Sequence, residues 1–139
     1  MMTGFETVAT RGFYHPLGRV TFEQGVELIA HALLRARALG LEDIVVNITG
    51  LSGFESPGVF ERYDMITKWV KCVRTCLRVA FVAQPGFIDS QKIGMLIAQN
   101  RGLSADVFAS ETAALAWLDA RLARRDIRPM LPGNPPPGN

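Results

Sequence analysis

Ser56 is the residue of this chain whose type and setting best suit chemistry. It stands between Glu55 and Pro57-Gly58, after the turn residues Thr49, Gly50, Ser52 and Gly53 and directly before a long helical pattern. Ser is a favoured N-cap and Pro is favoured at the first helical position, so the spacing predicts Ser56 at the mouth of a helix. There, free backbone N–H groups and the helix dipole favour an anion or a phosphoryl group. Cys72 and Cys76, at i and i+4 on one helix face, are close enough to share a metal, but no second pair exists and His15 and His31 are remote. Two buried thiols beside Trp69 are the plainer reading. Glu55, Asp64 and Asp89 could gather at one end of a sheet, although carboxylates at helix starts are ordinarily caps and dipole partners. The chain has no Walker-type phosphate loop, no G-x-G-x-x-G, no G-x-S-x-G and no H-E-x-x-H. The expectation is no catalytic residue, no metal and no cofactor.

The elements that must position Ser56 follow from periodicity. Ile44-Val45-Val46-Asn47-Ile48 is an apolar run of the kind that fills a strand buried on both faces. Upstream, residues 4–9 and 11–15 read as two short strands broken near Arg11-Gly12, and His15-Pro16-Leu17-Gly18 as a turn. Thr21 and Gln24 form a capping box for a first helix, with Phe22, Val26, Ile29 and Leu33 inward, Leu28 and Leu39 widening that face, and Gly40 closing it. The second helix is expected from about Pro57 to about Cys76, with a core stripe of Val59, Tyr63, Ile66, Val70 and Val73. A neighbouring stripe, Met65, Trp69, Cys72 and Cys76, is either a second buried face or an exposed patch for a partner.

Further on, residues 77–83 read as a strand and Asp89 or Ser90 as the cap of a third helix through Ile93, Leu96 and Ile97, stopped by Gly102. Residues 105–109 are a last strand, and Ser110 caps a fourth helix with Ala114, Leu115, Leu118 and Leu122 inward. Strands alternating with helices predict crossovers on a parallel sheet. The fold class is therefore α/β: a single domain with a mixed, mostly parallel four- to five-stranded sheet and about four helices. The domain is read as residues 1–125, and the Pro/Gly-rich segment 126–139 as a disordered tail.

Composition narrows the function classes. A chain of 139 residues with 48% hydrophobic and 20% charged residues has the make-up of a globular domain. The net charge of +2, spread along the chain, gives no reason to expect nucleic acid. The cluster Arg121, Arg124, Arg125 and Arg128 reads as a solvated helix end. No segment approaches a membrane span or a signal peptide, and two cysteines make no disulfide scaffold, which predicts a cytoplasmic protein.

The run from Asp43 to Val59 resembles the signature of STAS domains, the family of bacterial anti-sigma factor antagonists. In that family an apolar strand ends in Asn or Asp, a Leu-Ser pair follows, and Asp-Ser-Ser-Gly opens a helix. Asn47, Leu51-Ser52, Ser56 and Gly58 match, while Glu55 stands for the Asp and Pro57 for the second Ser. The ending Ala113-Ala-Leu-Ala-Trp117-Leu118 resembles a divergent STAS-like branch that is compared with CRAL-TRIO lipid-binding domains. The resemblance implies a STAS-like fold and a non-enzymatic regulatory domain. It also implies a protein partner of the anti-sigma serine kinase type and Ser56 as a phosphorylation switch. The implied docking surface is Gly50, Ser52, Gly53, Phe54, Glu55, Pro57 and Gly58 of the loop, with Arg62 and Trp69 of the second helix. A homodimer sealed by the Trp69 stripe is compatible. The alternative is a small-molecule or lipid-binding module, which predicts an apolar cavity between the first or second helix and the sheet.

Overall fold

The chain begins with a hairpin and then lays strands down one beside the next. The computed structural model describes residues 4–55, 57–73, 77–88, 93–101 and 103–127. Strands β1 (Phe5–Val8) and β2 (Arg11–Tyr14) pair antiparallel, with Ala9 in the left-handed region at the turn. Parallel strands β4 (Asp43–Asn47), β6 (Arg78–Val82) and β7 (Ala105–Phe108) follow. They complete a five-stranded sheet in the order β1-β2-β4-β6-β7. Two further strands of two residues each, β3 (Gly18–Arg19) and β5 (Leu51–Ser52), form a small parallel ladder of their own. The α/β reading with a mostly parallel mixed sheet and four helices thus describes this chain.

Helix α1 (Phe22–Ala38) opens on the expected capping box. Thr21 Oγ1 accepts from Gln24 N at 3.1 Å, and Gln24 Oε1 accepts from Thr21 N at 2.9 Å. Gly40, just past the helix end, takes the left-handed φ of +71° that a C-terminal stop requires. Leu39 does not widen the buried face: it is the C-cap, where the chain has left the helix, and stands half exposed.

Helices α1, α2 (Val59–Val73) and α3 (Ile93–Asn100) each connect a strand to its immediate neighbour and share one face of the sheet. On that side Tyr14, Ile44, Val46, Val79 and Phe81 meet Ile29, Leu33, Ile66, Trp69 and Val73. Helix α4 (Glu111–Ile127) covers the opposite face, where Ala114 and Leu118 pack on Val45, Ala80 and Val82. Covering both faces explains the continuous burial of β4 and β6, in which alternate residues serve opposite cores.

Three expectations need correction. Helix α2 starts at Val59, not Pro57. Gly58 O accepts from Arg62 N at 2.9 Å, and Gly58 N donates to Glu61 Oε1 at 2.9 Å. Gly58 is therefore the N-cap, and Glu61 at the third helical position reaches back to it as one half of a capping box. The inner face of α2 is also rotated: Trp69 and Cys72 are buried with Ile66 and Val73, whereas Tyr63 is exposed. As the middle of three helices on one face, α2 buries its flanks as well as its base. Helix α4 continues through Ile127, past the expected boundary at 125. Cys76, the Asp89 or Ser90 cap, the Gly102 stop, Arg128 and the tail from 128 lie outside the described residues. So do the side chains of Val59, Ile93, Leu96, Ile97 and residues 121–127.

Candidate functional site

The loop after β4 is held by its first residues. Asn47 Oδ1 accepts from Thr49 N at 3.0 Å and Thr49 Oγ1 at 2.6 Å, while Asn47 Nδ2 donates to Glu111 Oε2 at 2.8 Å. An Asn turning the chain through its own side chain is common at such corners, and Glu111 fixes the amide from α4. The β3–β5 ladder then ties the loop to the chain entering α1, through Gly18 N to Gly50 O at 3.0 Å and Val20 N to Ser52 O at 2.8 Å. Gly53 completes the tie. Its φ is +100°, and a Cβ there would fall 2.6 Å from Val20 O, so no other residue passes without displacing backbone.

This anchoring carries Phe54 over the start of α1. Its ring lies 6.4 Å from Phe22 and 5.6 Å from Phe87, which sits in the short 3₁₀ turn after β6. The three rings come from three separate segments and line one rim of a cavity of about 110 Å³, partly open to solvent. The cavity lies between α1, α2 and the sheet, at the carboxyl ends of the parallel strands, where open α/β sheets commonly bind ligands. Its floor is buried: Ile29, Leu51, Trp69, Phe81 and Met95. Trp69 and Phe81 stack with ring centres 5.1 Å apart, and the indole Nε1 donates to Val26 O at 3.2 Å, which fixes the floor.

Gly25 also lines the cavity, and space does not require a glycine there. It sits inside α1 and donates to Thr21 O at 3.0 Å. An added Cβ would meet only Val20, Leu51 and Phe54 side chains, at 3.8–4.0 Å, which is ordinary van der Waals contact. Among the described residues of the lining, Arg62 is the charged one. It rises from the first turn of α2, and its Nε donates to Pro57 O at 3.0 Å.

The sequence-derived surface thus divides. Phe54, Pro57, Arg62 and Trp69 come together around the cavity. Ser52, Gly53, Glu55 and Gly58 are exposed and Gly50 is half-buried, while Ser56 lies outside the described residues. Trp69 does not belong to an exposed docking patch: it is 3% exposed, because the middle helix turns its indole onto Phe81. The outward aromatics of α2 are instead Phe60, 86% exposed, and Tyr63, which carries the Arg101 guanidinium 4.7 Å above its ring.

A second polar group, at the opposite ends of the strands, escaped the sequence reading. Asp43 is 2% exposed and accepts from Arg11 Nε at 2.8 Å and Arg78 Nη2 at 3.4 Å, and Arg11 also reaches Asp119 of α4 at 3.0 Å. Arg11, Asp43 and Arg78 are register partners on three adjacent strands. The Asp43 hydrogen bond holds the Arg11 guanidinium above its ordinary pKa. This is a cross-strand brace.

Among the described residues no set of three or more His, Cys, Asp and Glu could hold a metal ion, and no helix is long and apolar enough to cross a membrane. Compared with models of protein families, with curated proteins and with solved structures, the chain matches none.

Proposed function

We propose that this chain is a binding module for a small apolar molecule, without catalysis of its own. The observation that carries the reading is the cavity of about 110 Å³ lined by five aromatic residues, Phe22, Phe54, Trp69, Phe81 and Phe87. Ligand pockets are concave and lined mainly by hydrophobic and aromatic side chains, as this partly open cavity beside a fixed Trp–Phe stack is. Gly25, the fourth residue of α1, supports the same reading: a glycine within a helix costs up to about 1 kcal/mol against alanine, and here the room it leaves opens onto the cavity.

The test is saturation of the full chain with toluene while following unfolding temperature and Trp69 fluorescence, with Trp117→Phe removing the other indole. Occupancy of the folded state alone raises the transition temperature through mass action. The midpoint should rise and the Trp69 emission should change. An unmoved midpoint together with unchanged emission would refute the reading.

A second reading, protein docking through the loop 50–58 and the outer side of α2, is favoured by Phe60, whose ring stands 86% exposed beside that loop. In this reading the STAS resemblance supplies the partner class, a serine kinase, and Ser56 the switch: a phosphate adds roughly −1.5 to −2 charges and repels a complementary surface. Co-purification of the wild type, Phe60→Ala, Ser56→Ala and Ser56→Asp chains with candidate kinases from the host tests it. Retained binding in Ser56→Asp removes the switch, and retained binding in Phe60→Ala removes the surface.

A further inference from the structure

The cavity takes its character from the way its rings meet one another. Among the described residues of the lining five are aromatic: Phe22, Phe54, Trp69, Phe81 and Phe87. Resting on the small-molecule reading above, we propose that the site selects one flat aromatic ring over a saturated ring of the same size.

Geometry comes first. An aromatic ring is negative on its faces and positive around its edge, so rings pair edge to face or offset. The lining rings already pair in both ways. Trp69 and Phe81 stack 24° from parallel, so each covers one face of the other. Phe54 meets Phe22 at 65° and Phe87 at 55°, which sets edges against faces. These pairs leave a guest a mixture of single faces and edges. An aromatic guest answers both, laying its edge on a face and its face on an edge. A saturated ring has no such charge pattern and gains only from burying its surface. A cation is drawn to ring faces, and here the faces are partly taken up by neighbouring rings.

Sulfur acts in the same sense. Met95 on the buried floor and Met65 also line the cavity, and a thioether makes favourable contacts with aromatic rings, often at their edges. Size then sets the guest at one ring. An apolar cavity of about 150 Å³ takes one benzene molecule, and this one holds about 110 Å³ and is partly open. A ring seated on the floor leaves its substituents at the rim, among the half-buried Phe22, Phe54 and Phe87. The bond from Trp69 Nε1 to Val26 O holds the indole in place before a guest arrives, so no ordering of that ring is charged against binding.

The experiment titrates the full Trp117→Phe chain with toluene, methylcyclohexane, tetramethylammonium and palmitate, reading Trp69 emission and ligand-observed NMR. Methylcyclohexane is the more hydrophobic of the two rings, so burial alone would favour it. With ring contacts on more than one side, toluene is expected to bind about tenfold tighter instead. Phe54→Leu keeps an apolar side chain and removes one ring, so toluene's advantage should shrink by about threefold there. Circular dichroism verifies that the variant is folded. Methylcyclohexane binding as tightly as toluene overturns the aromatic preference and leaves the cavity reading standing. Tetramethylammonium or palmitate binding more tightly than toluene overturns that preference too. An undiminished advantage in Phe54→Leu overturns the assignment of selectivity to the lining rings. Binding of none of the four defeats the small-molecule reading itself.

Discussion

Replacing Gly25 with alanine should make the protein more stable and a poorer binder, and both effects can be worked from its surroundings. Gly25 is buried within α1 and already makes its helical hydrogen bond to Thr21 O. Alanine is favoured over glycine in a helix interior by about 1 kcal/mol. The new methyl would reach Val20, Leu51 and Phe54 at 3.8–4.0 Å without a clash, and burying it adds at most about 0.8 kcal/mol. The expected gain is therefore about 1–1.8 kcal/mol. With an unfolding entropy of about 2.1 cal/mol/K per residue over 139 residues, that gain corresponds to a rise of about 3–6 °C in transition temperature. The same methyl removes volume from a cavity of about 110 Å³, so affinity for a ring-sized ligand should fall by about tenfold. Thermal melts with and without toluene measure both quantities on one sample. A lowered transition temperature would mean that Gly25 serves packing or backbone freedom. Unchanged ligand affinity would mean that the ligand sits elsewhere.

Asp43→Asn removes the negative charge shared by Arg11 and Arg78 in a nearly dry setting and turns one of its two acceptor oxygens into an N–H donor, so denaturant unfolding should show a loss of about 3 kcal/mol. Asp119→Asn breaks a pair whose carboxylate is 66% exposed, and its cost should stay below about 1 kcal/mol. Thr21→Ala opens the capping box of α1 and should cost about 1 kcal/mol in the same assay. Burial raises the folded-state pKa of the Cys72 thiol and the Tyr14 phenol above their ordinary values of 9.0 and 10.0. The neutral forms are thus favoured by folding. Their contribution is fully present below those ordinary values and is lost as pH climbs from them through the raised ones. Stability should therefore decline above about pH 9, and a Cys72→Ala, Tyr14→Phe chain should show a flatter alkaline limb.

Local signals made most of the frame legible. Thr21 with Gln24 marks the start of α1 because the capping box is written in four consecutive residues, and Gly40 marks its end because few other residues take the left-handed turn. The apolar runs at 44–48 and 77–83 read correctly as strands, the first as one buried on both faces, and both are so buried because helices cover both sides of the sheet. The start of α2 was displaced because Ser56-Pro57 is the stronger N-terminal signal by type. The backbone uses Gly58 instead, supported by Glu61 three residues on. The facing of α2 could not be decided from its own periodicity, because two apolar stripes lie side by side, and α1 and α3 on either flank bury Ile66, Trp69, Cys72 and Val73 while Tyr63 stays exposed. The brace around Asp43 was hidden for a related reason: Arg11 and Arg78 lie 32 and 35 residues from it and meet it only through strand register.

The cavity was harder to read, because its lining comes from α1, the β4–α2 loop, α2, β6, the 3₁₀ turn, α3 and β7, with no residue spacing to betray it. A sequence pattern can advertise a loop, but a void is a property of what fails to meet. The loop that drew notice through its STAS-like signature nonetheless proved relevant, since Phe54 and Pro57 on either side of Ser56 both belong to the lining. That placement joins the two functional readings thermodynamically. A ligand that orders the loop and a partner that docks on it must change each other's affinity by the same factor. Toluene at saturation should therefore shift the dissociation constant of any protein captured by the loop, and that protein should shift the affinity for toluene equally. Independent binding of the two would place the docking surface away from Phe54 and Pro57, on the outer side of α2 around Phe60.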